Sequence, residues 1–172
     1  MNENFGGCKK KCLPDLEGFP YVTDALMETI NRYPGLDDEE KFQFSTILSE
    51  AGMTVIASSG ASILDERESI TGHVWQTCAY PFMVVYRASG LNSKRKIQTK
   101  EWLDTLAEWL CRKTVTINDQ QYQLKSWPPL TGDRKILRIT RQSAAFLSGV
   151  NEDKSENWVM NLVIQYQNEF DR

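Results

Sequence analysis

The sequence is poor in the residues that most catalytic and metal sites use. Of its 172 residues, one is histidine (His73) and four are cysteine. Cys8 and Cys12 have the spacing of half a zinc site, but no second pair of cysteine or histidine residues exists to complete it. We therefore predict free thiols, no bound metal and no cofactor.

Long apolar runs and phosphate-binding loops are also missing. No run approaches the roughly 18 apolar residues that a membrane-spanning helix needs, and the polar start MNENFGGCKKK has no apolar segment of the signal-peptide kind. Neither glycine-rich phosphate motif, G-x-G-x-x-G or G-x4-G-K-[ST], occurs. These absences predict a protein without membrane contact and without a nucleotide cofactor.

Charge of one sign does not dominate either. With 20 basic and 23 acidic residues, the formal net charge is -3, which argues against a globally basic nucleic-acid-binding protein and leaves local basic patches open. The 41% of hydrophobic residues suffices for one core. We predict a flexible N-terminal arm, rich in glycine, proline and lysine, over residues 1–20 and a single domain over residues 21–172.

An enzyme would have to use His73 or a cluster of carboxylates. Cys78 lies five residues after His73, and residues an odd number apart on a strand point to opposite faces, which disfavours a Cys–His nucleophile pair. Cys12 and Cys111 stay open as partners that the fold brings near. The run DERE, residues 65–68, suits acid–base chemistry but is more typical of a solvated hairpin. We predict that the protein is not an enzyme.

Hydrophobic periodicity predicts the elements of the first half of the chain. Apolar residues at helical spacing indicate a helix over residues 22–33. Two short strands broken at Gly52 follow, and then a polar segment over residues 59–72 that is predicted to be a long hairpin or a projecting loop. A long apolar strand begins at His73. Pro81 within this strand predicts a bulge or an edge position, because proline cannot donate to a ladder.

The second half contains the strongest helical pattern. TKEWLDTLAEWLCRK (residues 99–113) carries its large apolar side chains on one stripe. Glu101 and Asp104 lie near the predicted start and Arg112 and Lys113 near the end, as suits the helix dipole. The preceding GLNSKRK is predicted to be a basic loop.

The last third of the chain is predicted to consist of strands. A hairpin turns at Asn118 and Asp119, and KILRIT and the final strand form two antiparallel partners separated by the acidic loop NEDKSEN. From Trp158 to Tyr166 every second residue is apolar, so one face belongs to a core. Such a strand pairs on both edges within the fold or offers one edge to another chain.

These elements predict an α+β fold, with a mainly antiparallel twisted sheet packed by two helices and a projecting hairpin. The predicted core residues are Trp102, Leu106, Trp109, Trp158, Leu162 and Ile164.

The order of the elements resembles that of a known family. With the segments CAYPFMVVYRAS, TKEWLDTLAEWL and NEDKSENWVMNLVIQYQNEF, it is similar to the tail-terminator proteins (also called tail-completion or minor capsid proteins) of tailed bacteriophages that infect Gram-positive hosts. The resemblance covers residues 22–170 and is one of pattern and order, without a catalytic signature. The CKKKC arm and the segment TVTINDQQYQLKSWPP depart from the plainest family pattern.

The resemblance implies a tail-terminator-like domain with a structural role. Six copies would form a ring that caps the tail tube and joins it to the neck of the virion, after assembly in the host bacterial cytoplasm. The implied partners are further copies of the chain, the tail tube protein, a neck or head-completion protein and, in a contractile tail, the sheath protein.

Two charged segments are candidates for the contact between subunits of such a ring. The candidate residues are Lys94, Arg95 and Lys96 in the basic loop and Glu152, Asp153 and Glu156 in the acidic loop. Opposite charges suit a heterologous contact, in which each rim pair contributes roughly 0–1 kcal/mol. We also expect ring closure to cover an edge of the last strand. An alternative is a monomeric protein- or nucleic-acid-binding adaptor that uses the basic loop 93–96.

Overall fold

A computed structural model of the chain describes residues 19–45, 51–130 and 134–172. The predicted arm lies outside the described residues except for its last two, which already belong to the first helix. The elements in chain order are α1 (Phe19–Ile30), β1 (Gln43–Phe44), β2 (Gly52–Ala57), β3 (Ser62–Glu68), β4 (His73–Ala88), α2 (Ser93–Leu110), β5 (Val115–Ile117), β6 (Gln120–Tyr122), β7 (Arg134–Arg141), β8 (Phe146–Val150) and β9 (Glu156–Asp171).

The core lies between one face of a seven-stranded sheet and the two helices. β4 and β9 pair antiparallel over 16 residues each, and their even-numbered side chains are almost all buried. α1 contributes Val22, Leu26 and Ile30 to the same core, and α2 contributes Leu103 and Leu106. The predicted α+β class, with a mainly antiparallel sheet and two helices, is therefore confirmed.

β9 lies inside the sheet and not at its edge. β4 pairs with one side of it, while β7 and β8 pair with successive parts of the other side. The predicted core residues Trp158, Leu162 and Ile164 are all buried. The expectation that ring closure covers an edge of this strand is wrong, because both edges are already hydrogen-bonded within the chain. β8 is a strand that the hydrophobic pattern does not predict.

Pro81 lies in a central strand, contrary to the expectation of a bulge or an edge position. It pairs with Val163 of β9 on one side. On the other side, the partner of β4 changes from β2, which reaches Phe82, to β3, which starts at Ala79. The Pro81 carbonyl accepts from the Ser58 N–H (3.0 Å) at this junction. Because N–H and C=O of one strand residue point to the same side, the missing donor faces the junction and costs no ladder bond.

α2 begins six residues earlier than predicted, so SKRK (residues 93–96) of the predicted loop GLNSKRK forms its first turn and only GLN (residues 90–92) lies outside it. The Asn92 side chain caps the helix by accepting from the Arg95 N–H at 3.0 Å. The prediction that the charges of the helix complement its dipole is wrong for the same reason. Glu101 and Asp104 lie in mid-helix, and the first turn is basic. α1 likewise begins earlier than the predicted residue 22 and ends at Ile30.

The apolar stripe of α2 is turned slightly from the predicted one. Leu106 and Trp109 are buried as predicted, whereas Trp102 is half-buried at the margin of the core. Its indole N–H donates to the Gly35 carbonyl at 2.9 Å, and its ring contacts Tyr33 edge-on at 5.6 Å between centroids. Trp102 thus fastens the loop that follows α1 to the side of α2.

Asp104 holds the turn between β7 and β8 against α2. Its Oδ1 accepts from the Ala145 N–H (2.9 Å) and lies 3.2 Å from the Arg141 guanidinium, while Oδ2 lies 2.6 Å from Lys100 Nζ. Burial alone raises the pKa of Asp104, but the Ala145 amide and the two cations outweigh burial and lower it. The carboxylate that was expected to serve the helix dipole serves a tertiary contact.

Of the two predicted hairpins, the one at Asn118 and Asp119 is present as predicted. The segment 59–72 does not form a projecting hairpin of its own, because its strand β3 pairs with residues 74–79 of β4, which also pair with β9, so β3 extends the sheet and all seven of its residues are exposed. β5 and β6 turn at Asn118 (φ 49°) and Asp119 (φ 63°), the left-handed pair that a two-residue turn of this type requires.

The alternation of β9 yields a test by truncation. Leu162→Ala removes a side chain that is 1% exposed, so we expect a loss of about 2–5 kcal/mol in the free energy of unfolding. Val163→Ala, one residue along on the opposite face, is only half-buried and should cost clearly less. Urea unfolding at one protein concentration measures both, and equal losses would contradict the face assignment.

Candidate interaction surfaces

The predicted basic residues form the first turn of α2. Lys94 and Arg95 are exposed, and among the described residues neither side chain makes an ion pair. Lys96 is different, because its Nζ lies 2.6 Å from Glu156 Oε1 in the same chain. Glu156 is only 5% exposed, and its Oε2 accepts from the Trp158 indole N–H at 3.2 Å. The Lys96–Glu156 pair therefore belongs to the fold of one subunit.

The predicted acidic loop is a compact turn between β8 and β9. Asp153 Oδ1 accepts from the Ser155 N–H (2.9 Å) and hydroxyl (2.6 Å). These hydrogen bonds lower the pKa of Asp153. Lys154 adopts a left-handed φ of 65°, which completes the turn. Asp153 thus shapes the loop, while Glu152 is the exposed acid that makes no ion pair among the described residues.

The bond between Lys96 and Glu156 brings both charged segments to the same side of one subunit. A heterologous ring contact joins two different sides of the subunit. The arrangement therefore does not favour these six residues as the two halves of a subunit contact. Lys94, Arg95 and Glu152 remain exposed on this side for another partner.

His73 belongs to a polar cluster beside the turn between β3 and β4, where it pairs with Asp171 of β9. Its Nδ1 lies 2.7 Å from Asp171 Oδ1 and its Nε2 lies 3.7 Å from Glu169 Oε2. The hydrogen bond to Asp171 raises the pKa of His73, against a smaller opposing effect of desolvation. The two carboxylates therefore hold the end of β9 to the start of β4 best when the imidazole is protonated.

The cysteines of the described residues do not approach His73. Cys78 is buried in the core, on the face of β4 opposite to His73. Cys111 lies behind the end of α2, where burial raises the pKa of its thiol, so its reactive thiolate form is disfavoured. Cys8 and Cys12 lie outside the described residues. Within the described ranges, no group of three or more histidine, cysteine or carboxylate side chains is placed to hold a metal ion.

The DERE run is engaged in ion pairs along β3. Asp65 pairs with Arg67 (3.1 Å), while Glu66 and Glu68 each accept from the Arg172 guanidinium (2.7 and 2.6 Å). The Gln76 amide also donates to Glu66, and this bond is the main reason why the pKa of Glu66 is lowered. Glu66 is therefore stabilised as an anion, which does not suit a general acid.

In the described part of the sheet, β3 and β7 are the outer strands at one end of the β4–β9 ladder, where they lie on opposite sides of the same rows of paired residues, and β1 and β8 are the outer strands at its other end. At this level the strand order is β3–β4–β9–β7. Among the described residues, no further strand pairs with the outer edge of β3 or of β7. Lys135, Leu137 and Arg138 of β7 are exposed, like the whole of β3. Sequence reasoning missed this pair of edges, because strand order is not visible in a hydrophobic pattern.

Comparisons with known proteins add no relative. No protein-family model matches the chain, and no curated protein matches its sequence. In the part of the chain that the structure describes, no helix is both long and apolar enough to cross a membrane.

The Lys96–Glu156 pair gives a stability prediction. Lys96→Met leaves a nearly buried carboxylate without its cation, so we expect a loss of about 1–3 kcal/mol in the free energy of unfolding. Lys94→Met, in the same turn but without an ion pair among the described residues, is the control and should change stability by less than about 0.5 kcal/mol. Chemical unfolding at two protein concentrations measures both. Equal effects would show that Lys96 acts only as a surface charge.

The single histidine makes its titration directly observable. A raised pKa means that the folded chain binds the proton more tightly than the unfolded chain, so this stabilisation is complete below the unfolded value of about 6.5 and is lost as pH rises through the folded value. In an NMR titration of the imidazole we expect a pKa above that value in the native chain and a lower one in Asp171→Asn. Asp38→Asn, far along the chain in an exposed loop, is the control. An unchanged pKa in Asp171→Asn would refute the contact.

Proposed function

We propose that the protein is a structural subunit of a tailed-phage virion, which assembles into a six-membered ring as a tail terminator. In this proposal the ring caps the tail tube at the tail–neck junction and contacts the tail tube protein, a neck or head-completion protein and, in a contractile tail, the sheath protein. Assembly takes place in the cytoplasm of the bacterial host.

The observation that carries the proposal is that the different edges of β3 and β7, on opposite sides of one sheet, pair with no further strand among the described residues. An open edge is an aggregation hazard unless a partner covers it. Two different surfaces on opposite sides of a subunit support head-to-tail association, which closes into a ring when the rotation between copies permits. The subunit is thus suited to cyclic assembly, although the edge concerned is not the one that the sequence suggested.

The order of the elements supports the phage assignment. The long strand containing YPFMVVYRAS is β4, the EWLDTLAEWL segment lies in α2, and the closing strand is β9. These three elements build the core together. The residues on which the resemblance rests are therefore the residues that define the fold.

One observation favours the adaptor alternative. Lys94 and Arg95 are exposed at the positive end of the α2 dipole, where cations are unfavourable. An anionic partner would relieve that repulsion, and its binding would weaken steeply with salt.

Solution mass separates the two functions. Light scattering over a range of concentrations, with negative-stain imaging of the same sample, should show rings of six 19.8 kDa subunits, about 119 kDa in total. If the chain is monomeric alone, rings should appear when purified tail tubes are added. A strict monomer under both conditions that binds nucleic acid in a salt-dependent manner would replace the ring proposal with the adaptor.

A further inference from the structure

We propose that the subunits of the ring associate by antiparallel pairing of the β3 edge of one copy with the β7 edge of the next, so that the sheets join. This inference rests on the proposed function and names the surface through which the copies bind. Both strands are long enough for such a contact, with seven residues in β3 and eight in β7.

The direction of the strands permits this pairing. Each step along β3–β4–β9–β7 is antiparallel, so β3 and β7 run in opposite directions. A rotation about an axis roughly along the strands keeps those directions. The β7 strand of one copy and the β3 strand of the next therefore meet as an antiparallel pair, whose hydrogen bonds satisfy the open backbone groups of both edges.

The β3 and β7 edges also lie at the same position along the strand direction, which is called their height below. One continuous row runs from Asp65 through Thr77 and Gln167 to Lys135, and the next row ends in Glu66 on one side and Arg134 on the other. Cyclic symmetry has no rise along its axis, so neighbouring copies present these edges at equal height.

Charge distinguishes the correct partner from the wrong ones. β3 carries three acidic residues and one basic residue, a net charge of -2 that becomes -1 when Arg172, which pairs with Glu66 and Glu68, is included. β7 carries four basic residues, a net charge of +4 that becomes +3 when Asp104, the partner of Arg141, is included. Pairing of β3 with β3, or of β7 with β7, brings together two edges of like net charge, which is unfavourable. Pairing of β3 with β7 brings unlike charges together. The charges thus act against isologous pairs and select the heterologous one.

Each edge also offers an exposed leucine. Leu64 lies at the bulge of β3 and is 55% exposed, and Leu137 lies at the bulge of β7 and is 41% exposed. Both bulges lie next to the same row of paired residues, which contains Cys78 and Tyr166. In the joined sheet the two leucines meet close to the same height and bury apolar surface that a free subunit leaves in water.

Charge reversal tests the selectivity. Lys135→Glu and Asp65→Lys should each weaken self-association at least about tenfold, measured by light scattering or analytical ultracentrifugation at low salt, and the double variant should recover most of the loss because the attraction is restored. Lys125→Glu and Asp38→Lys make the same changes on exposed loop residues and should leave association unchanged. A double variant that assembles no better than the singles would overturn the proposal.

Cross-linking tests the contact itself. Leu64→Cys and Leu137→Cys in one chain should give, with a short bismaleimide, a ladder of covalent oligomers that ends at the ring. The controls are the chain with Leu64→Cys alone and the chain with Leu137→Cys alone. Each retains the four native cysteines and should give no such ladder. Native-like circular dichroism and unfolding would confirm that the variants fold.

The outcomes separate this inference from the proposed function. Rings that form but do not cross-link through positions 64 and 137 would overturn the β3–β7 contact and leave the ring in place. A wild-type chain that stays monomeric at every concentration and on tail tubes would overturn both.

Discussion

The antiparallel ladder between β4 and β9 is the constraint on which the rest of the structure depends. Its 16 residue pairs place Tyr80 beside Ile164 and Phe82 beside Leu162, and so fix one face for the core. A slip of one residue would turn every one of these side chains to the opposite face. The helices pack on this face, and β2, β3, β7 and β8 take their positions from the two free sides of the ladder.

Much of this fold could be predicted from the periodic spacing of the hydrophobic residues in the sequence. The two-residue alternation of β9, the apolar run of β4 and the stripe of α2 each predicted the correct element, because burial acts on side chains at regular spacing. The turn at Asn118 and Asp119 was readable for a local reason, since those residue types tolerate the left-handed conformation. The resemblance to tail terminators rests on the same pattern and order and stays a prediction.

What sequence reasoning missed depends on tertiary position. β8 has little apolar alternation, and it is a strand because it lies beside β9. The helical state of Lys94 and Lys96 follows from the Asn92 cap and from the bond between Lys96 and Glu156. The Lys96–Glu156 bond joins distant parts of the chain, so no linear pattern reveals it. The opposite signs of β3 and β7 were in the sequence throughout. Their significance required the strand order, which places them on opposite edges of one row.

Several charged side chains serve the subunit itself. Asp104 holds the β7–β8 turn, Glu156 is held by Lys96, and Arg172 bridges two carboxylates of β3. A charged loop in a sequence is therefore weak evidence for a contact between chains until its intramolecular partners are known.

The opposite charges of β3 and β7 have a consequence for how the proposed assembly of copies stops growing. In the proposed ring, every head-to-tail contact uses the acidic β3 edge and the basic β7 edge, so an open chain of copies of any length still ends in one of each. Adding a copy never removes the reactive ends, and only the meeting of the first and last copies does so. The angle between the two edges within one subunit, and not the supply of subunits, then sets the final number.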